Sequence, residues 1–143
     1  MKIDRRWKYL ILVALISFGS LAFAASPSKH RVLFAVSSPD SADWQMVSRN
    51  AYNLMQGMQP DSVDVEIVAF GSGIGMLKLD TPVRSDIESL QKAGVHFVAC
   101  ANSMRVAHLT ITDLVPNTTV VPSGIVEIVR KQEEGWSYIK GGR

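Results

Sequence analysis

The chain has 143 residues and one cysteine, Cys100. A single thiol excludes an intramolecular disulfide, a cysteine zinc cluster and a Cys-x-x-Cys redox pair, and it leaves one strong nucleophile to be explained. Histidine is nearly as scarce: His30, His96 and His108 are the three, and none stands at metal-ligand spacing with another ligand type. We therefore expect no metal and no cofactor. Neither a G-x-G-x-x-G fingerprint nor a G-K-[ST] ending occurs, which disfavours a Rossmann-like nucleotide enzyme. There is no internal repeat, linker or low-complexity tract. What the chain does have is a 47% hydrophobic composition, enough for the core of one domain and too much for a disordered or fibrous protein.

Charge is unevenly distributed. The 15 Lys and Arg residues against 13 Asp and Glu give a formal +2, yet Lys2, Arg5, Arg6 and Lys8 all fall in the first eight positions. They precede an apolar run from Tyr9 to Leu15 that continues through Ile16, Phe18, Leu21 and Phe23 to Ala22-Phe23-Ala24. A positive segment, an apolar segment and an A-x-A site in that order describe a secretory signal peptide. The run is about 15 residues, interrupted by Ser17, Gly19 and Ser20, where a spanning helix needs roughly 20. The expectation is residues 1–24 as a cleaved signal and 25–143 as the working domain, exported to the periplasm by the ordinary secretory route rather than the twin-arginine one. Retention as an anchor is the alternative, and cleavage leaves no stable membrane insertion. Without residues 1–24, four basic residues and one acidic residue are lost, leaving 11 against 12 and a net charge of −1. No Lys/Arg run survives, so we expect no nucleic-acid partner.

The remainder alternates strand and helix patterns. Arg31 to Val36 is a short apolar run of the kind buried on both faces of a parallel sheet, which predicts a central strand. After a cap at Asp40 or Ser41, the residues Trp44, Val47, Ala51, Leu54, Met55 and Met58 recur at helical spacing. Val63 to Phe70 reads as a second strand that runs into Gly71-Ser-Gly-Ile-Gly75. Ser85 and Glu88 suggest a capping box for a helix with Ile87, Leu90 and Ala93 inward, stopped by Gly94. Val95 to Ala99 is a third strand delivering Cys100. Helical pattern is weaker from Ala101 to Leu109, and Ile111 to Leu114 reads as a single turn. Thr118 to Val121 is a fourth strand, and Gly124 to Glu134 is a helix with Ile125, Ile128 and Val129 inward. Val126, Val129 and Trp136 fit a subunit interface as well as a core. Trp136 to Ile139 adds a short terminal strand. The predicted fold is a single three-layer α/β domain with a mainly parallel sheet of about five strands flanked by helices. Its ligands belong at the carboxyl ends of the strands, in the loops Ser37 to Asp43, Gly71 to Lys78 and Cys100 to His108.

Cys100 has two readings. At a strand-to-helix junction, with Arg105 and His108 a few residues on, it fits a nucleophile whose thiolate is favoured by a helix N-terminus or a nearby cation. Free cysteine is equally at home as a small buried hydrophobe. Gly71-Ser72-Gly73-Ile74-Gly75 is a tight turn allowing close backbone approach, and its N–H groups suit a small anion such as a persulfide or sulfite oxygen. Asp40 and Asp43 flank a helix start and read as caps, His96 as a core or edge residue, and His108 as a solvated one.

Five strings in order carry a resemblance: Phe34-Ala-Val-Ser-Ser-Pro-Asp40; Trp44-Gln with Asn50-Ala-x-Asn53-Leu54; Val68-Ala-Phe-Gly-Ser-Gly-Ile-Gly-Met-Leu77; Val95-x-Phe-Val-Ala-Cys100-Ala-Asn-Ser-Met-Arg105; and Val121-Pro-x-Gly124-x-x-Glu-Ile-Val-Arg-Lys-Gln-Glu-Glu-Gly-Trp136. From about Arg31 to Tyr138 the chain resembles the DsrE/DsrF-like family, and its exported branch most of all. The resemblance implies a Rossmann-like α/β fold with a parallel sheet, assembly into homo- or hetero-oligomers (dimers, trimers or hexamers), and a cysteine after the third strand that carries sulfur as a persulfide, the position Cys100 occupies. The expected function is then a periplasmic sulfur carrier or sulfurtransferase subunit that exchanges sulfur with donor and acceptor proteins. Cys100 would be catalytic, Gly71, Gly73, Gly75, Asn102 and Arg105 would shape its pocket, and Arg105 would favour the thiolate. The alternative is a non-enzymatic oligomeric module that binds a small ligand or a protein, with Cys100 a packing residue. Reactivity of the native thiol separates the two.

Overall fold

The computed structural model describes residues 29–59 and 61–142. The proposed signal segment, residues 1–24, and Pro60 lie outside them. Five strands, β1 (Lys29–Val36), β2 (Ser62–Ala69), β3 (His96–Cys100), β4 (Thr119–Val121) and β5 (Ser137–Gly141), form one sheet in the order β4-β3-β2-β1-β5 with every neighbouring pair parallel. The middle strand is β2; β1, expected to be central, is interior but one place off centre, between β2 and β5. Helices α1 (Ser41–Gly57), α2 (Arg84–Lys92), α3 (Ala101–Val106) and α4 (Gly124–Glu133) connect the strands, with 3-10 segments at Gly71–Leu77 and Ile111–Asp113.

The connections explain the layers. From β1 to β4 the chain steps across the sheet in one direction, so right-handed crossovers put α1 to α3 on one face. That face holds the larger core, built on Phe34, Ile67, Phe97, Met76, Leu77 and Ile87. The return from β4 to β5 runs the opposite way and lays α4 on the other face, over a small core of Leu33, Ala35, Val68, Val98 and Ile128. Strands buried on both faces are mostly apolar, and the last five residues of β1 and of β2 are all buried, Glu66 of β2 being the one charged residue among them.

Helix α1 begins where the Asp40 carboxylate accepts a hydrogen bond from the Ala42 N–H at 2.9 Å, and its apolar stripe of Trp44, Val47 and Ala51 is buried. Asp40→Ala should lower stability by about 1 kcal/mol in a urea melt without changing the m-value. Asp43 is buried and accepts from Ser38 Oγ at 2.6 Å, a structural role as expected. The expected Ser85–Glu88 capping box does not form. The helix starts one residue earlier, at Arg84, with Val83 at the cap, and Glu88 instead accepts from Arg84 Nε at 2.8 Å across one turn. In α4 the inward set is also different: Ile128 is buried, but Ile125 and Val129 are 54% and 48% exposed, alongside Val126. The sheet meets α4 through Gly124, Ile128 and the stem of Lys131, so the face 100° round from them points away. His96 is exposed at the start of β3.

Among the described residues no helix is long and apolar enough to cross a membrane, and no group of three His, Cys, Asp or Glu side chains could hold a metal ion.

Candidate functional site

Adjacent strands β3 and β4 send their chains to opposite faces of the sheet: β3 leads into α3 on the large-core side, and β4 into α4 on the other. The carboxyl ends therefore part, and this parting is where α/β sheets bind their ligands. Cys100, the last residue of β3, sits at that point beside Val121 of β4. Strand alternation puts Phe97 and Ala99 in the large core, and Val98 and Cys100 on the α4 face. The residue is 4% exposed.

Two helix starts converge on the sulfur. Cys100 is the N-cap of α3, and Gly124, the first residue of α4, packs so closely that a Cβ there would lie 3.2 Å from the Cys100 Cβ, 3.0 Å from that of Phe70 and 3.3 Å from Val68 Cγ1. Only glycine lets the N-terminus of α4 approach at this range. The neutral thiol makes no capping hydrogen bond. Burial, the largest single influence, works against the thiolate. The Ser103 hydroxyl and the backbone N–H groups of Gly124, Ser103 and Asn102 together outweigh it, so the thiol's pKa lies below the ordinary thiol range.

Ser103 also ties the thiol to the glycine loop. Its Oγ accepts a hydrogen bond from the Gly71 N–H at 2.7 Å. Gly71 takes φ +55, a left-handed conformation suited to glycine, and starts the 3-10 segment rather than an open loop. Gly71 N–H donates to Ser103 Oγ and the Ser103 O–H to the sulfur, a chain in which each bond polarises the next. Ser103→Ala should raise the pH at which Cys100 becomes alkylatable, read as the midpoint of iodoacetamide rate against pH.

A cleft of about 580 Å³ opens beside this chain, with Gly71, Ser72, Gly75, Lys78, Asn102 and Ser103 among its polar lining and Ile74, Val106, Ala107 and Leu109 as its apolar wall. Of the residues expected to shape a pocket for Cys100, the structure brings Gly71, Gly75 and Asn102 together here. Gly73 is buried beneath the loop, where an added Cβ would collide with the Val36 carbonyl. Arg105 does not line the cleft; it is exposed and donates from Nη2 to Asn102 Oδ1 at 3.0 Å. The groups favouring the thiolate are hydrogen-bond donors, not the guanidinium, because Arg105 lies on the outward side of a short helix whose N-terminal N–H groups face the sulfur. His108, with φ +55, ends that segment in solvent. Cys100 itself is not part of the cleft wall; Ser103 stands between them.

Two residues of the site were not singled out in the sequence. Ser103 lay inside the Asn102 to Arg105 stretch expected to shape the pocket and carried a usable signal of its own, lying three residues beyond an N-cap position, where a hydroxyl comes back over the cap. Gly124 opened a helix, where glycine has no intrinsic advantage, and its close approach to Phe70, Cys100 and Val68 explains it.

Comparison with known proteins agrees with this architecture. The profile of the DsrE/DsrF-like family matches residues 30–140. A solved structure of a protein of unknown function, MTH1491 from Methanobacterium thermoautotrophicum, is 36% identical, covers 78% of this chain and 98% of its own length, and superposes with a TM-score of 0.74. A conserved protein of unknown function, BT1422 from Bacteroides thetaiotaomicron, shares the fold at 16% identity and a TM-score of 0.62, covering 77% of this chain and 93% of its own. Curated proteins gave no match. A profile match across nearly all the described residues, together with a 36% identical structure of the same fold, shows that the chain belongs to the DsrE/DsrF-like family.

Proposed function

We infer that this protein is a periplasmic sulfur carrier, a sulfurtransferase subunit that holds sulfur as a persulfide on Cys100. The family supplies a fold related to sulfur relay. The observation that carries the reading is the placement of the one thiol at a strand's carboxyl end where the starts of α3 and α4 meet, with donors from Ser103, Asn102 and Gly124 holding its pKa down. A structural cysteine needs no such company. The same donors suit a persulfide, which is also an anion.

In the loading step the Cys100 thiolate attacks the outer sulfur of a donor persulfide, R–S–SH. The donor's S–S bond breaks, R–S⁻ departs with the electron pair, and Cys100 keeps the sulfur as Cys–S–SH. An acceptor thiolate removes it by the same exchange, with Cys100 thiolate now the leaving group, so no external oxidant or reductant is required. One cysteine suffices because donor and acceptor bring the others. The apolar residues exposed on α4, Ile125, Val126 and Val129, are consistent with assembly into a homo-oligomer.

Burial of Cys100 favours a second reading, a binding module in which the cleft takes a ligand and the thiol only packs. Intact mass after incubation with glutathione persulfide separates them. Wild type should gain one sulfur, about 32 Da, and Cys100→Ser none; identical spectra overturn the sulfur-carrier reading, and an unalkylatable native thiol favours the binding module.

A further inference from the structure

We propose that Glu66 and Lys131, which stand apart from the thiol and its cleft, are positioning residues for Cys100, clamping α4 so that its Gly124 N–H stays on the sulfur. The inference rests on the reading of Cys100 as a reactive thiol.

The same face of β2 presents Glu66, Val68 and Phe70 in alternation, and α4 runs back along it. Phe70 and Val68 meet the start of the helix at Gly124, with the 3.0 and 3.3 Å approaches given above. Two turns on, Lys131 Nζ reaches Glu66 Oε2 at 3.0 Å. Between these ends Ile128 is the only other α4 side chain that is buried. A helix with one buried apolar side chain depends on its two ends for its placement, and the ion pair is one of them.

The surroundings of the pair make it unusual. Glu66 is 5% exposed, and its Oε1 has no hydrogen-bond partner. Evolution of a purely packed sheet face would place an apolar residue there, as at Val68. The titratable groups facing the pair come from α4 and β3: Glu127, with Oε1 3.6 Å from Lys131 Nζ, Glu134, which caps the end of α4, and His96, which is in register with Glu66 on β3. Lys131 also lies 4.6 Å from the centre of the Trp136 ring, so the ammonium is held from two sides. This arrangement, with the bond that Arg31 Nη2 of β1 donates to the Glu134 carbonyl at 2.7 Å, fixes both the rotation and the axial position of α4, which a single isoleucine contact cannot do. The Gly124 N–H, at the far end of the same rigid helix, inherits that position.

The test reads alkylation of Cys100 against pH, which needs no sulfur donor. Glu66→Gln and Lys131→Met should each slow alkylation near neutral pH by about threefold and move the midpoint upward, while Lys131→Arg keeps the wild-type profile. The double variant should be no worse than either single one, because both break one clamp. Folding is followed by circular dichroism, and Lys131, whose side chain is 20% exposed, can be replaced even where Glu66 cannot. Unchanged midpoints in folded Lys131→Met, or additive effects in the double variant, overturn the proposal. A shifted midpoint with no sulfur uptake by wild type supports the clamp and counts against sulfur transfer alone.

Discussion

Cys100→Ser should abolish sulfur uptake while leaving the fold intact. Serine replaces sulfur by a smaller oxygen at the same branch point, among the same donors, so the packing against Gly124 survives. The hydroxyl remains protonated and does not attack sulfane sulfur, so the loss of the adduct of about 32 Da should be complete rather than graded. The variant also has a thermodynamic signature. Donors from Ser103, Gly124 and Asn102 depress the thiol's pKa in the folded state despite burial. A depressed pKa means that the fold gains from the thiolate above the unfolded thiol's pKa and loses that gain as pH falls through the folded value. Wild-type stability minus that of Cys100→Ser should therefore grow as pH is raised from neutral into the alkaline range, and be flat in acid. Urea melts across that range check it, and a flat difference throughout would show that the donors do not act on the sulfur.

Gly73→Ala should be the most damaging single-methyl change in the loop. A Cβ at Gly73 runs into the Val36 carbonyl and comes within 2.9 Å of the Ser37 Cα, and both are backbone atoms at the end of β1. Side chains can turn aside, but this backbone is held by the Phe70 N–H to Val36 carbonyl bond of 3.0 Å. The 3-10 segment must lift instead, with an expected loss of about 3 kcal/mol, or roughly 10 °C in melting temperature. Gly71→Ala is the informative comparison. It has open space around its Cβ position and suffers only from φ +55, a loss of about 1 kcal/mol. A loss at Gly73, which has no left-handed φ, no larger than that at Gly71 would mean that the 3-10 segment relieves the close approach to β1 cheaply. Lifting the segment also pulls Gly71 from Ser103, so Gly73→Ala should slow alkylation of Cys100 as well.

Each segment that became a strand was legible as one, for a simple physical reason. Val32 to Val36 and Val65 to Ala69 are buried on both faces, and such strands leave a run, apolar but for Glu66, that no turn or exposed helix produces. The α1 stripe was legible because Trp44, Val47 and Ala51 meet one sheet face at helical spacing. Helix α2 was found but its start was not: Ser85 and Glu88 have capping-box spacing, yet Thr81 accepts from the Arg84 N–H through its carbonyl, and the chain is already turning when it reaches Ser85. Periodicity also chose the wrong face of α4, since Ile125, Ile128 and Val129 can share a stripe only if the sheet lies on that side.

By itself the sequence determined the α/β class, the strand and helix order and the position of Cys100 at the end of β3. These follow from local pattern, because burial on a given face repeats every two or every 3.6 residues. The tertiary structure alone decided which residues surround the thiol. Ser103 is near in sequence, but Gly124 lies 24 positions from Cys100 and Gly71 lies 32 from Ser103; Gly124 meets Cys100, and Gly71 meets Ser103, because β3 and β4 send their helices to opposite faces and β2 ends alongside. The pairing of Glu66 with Lys131 was likewise invisible, since it joins the middle of the central strand to the far end of the last helix. Contacts of that kind are set by how the chain crosses the sheet, and spacing along the sequence carries no record of them.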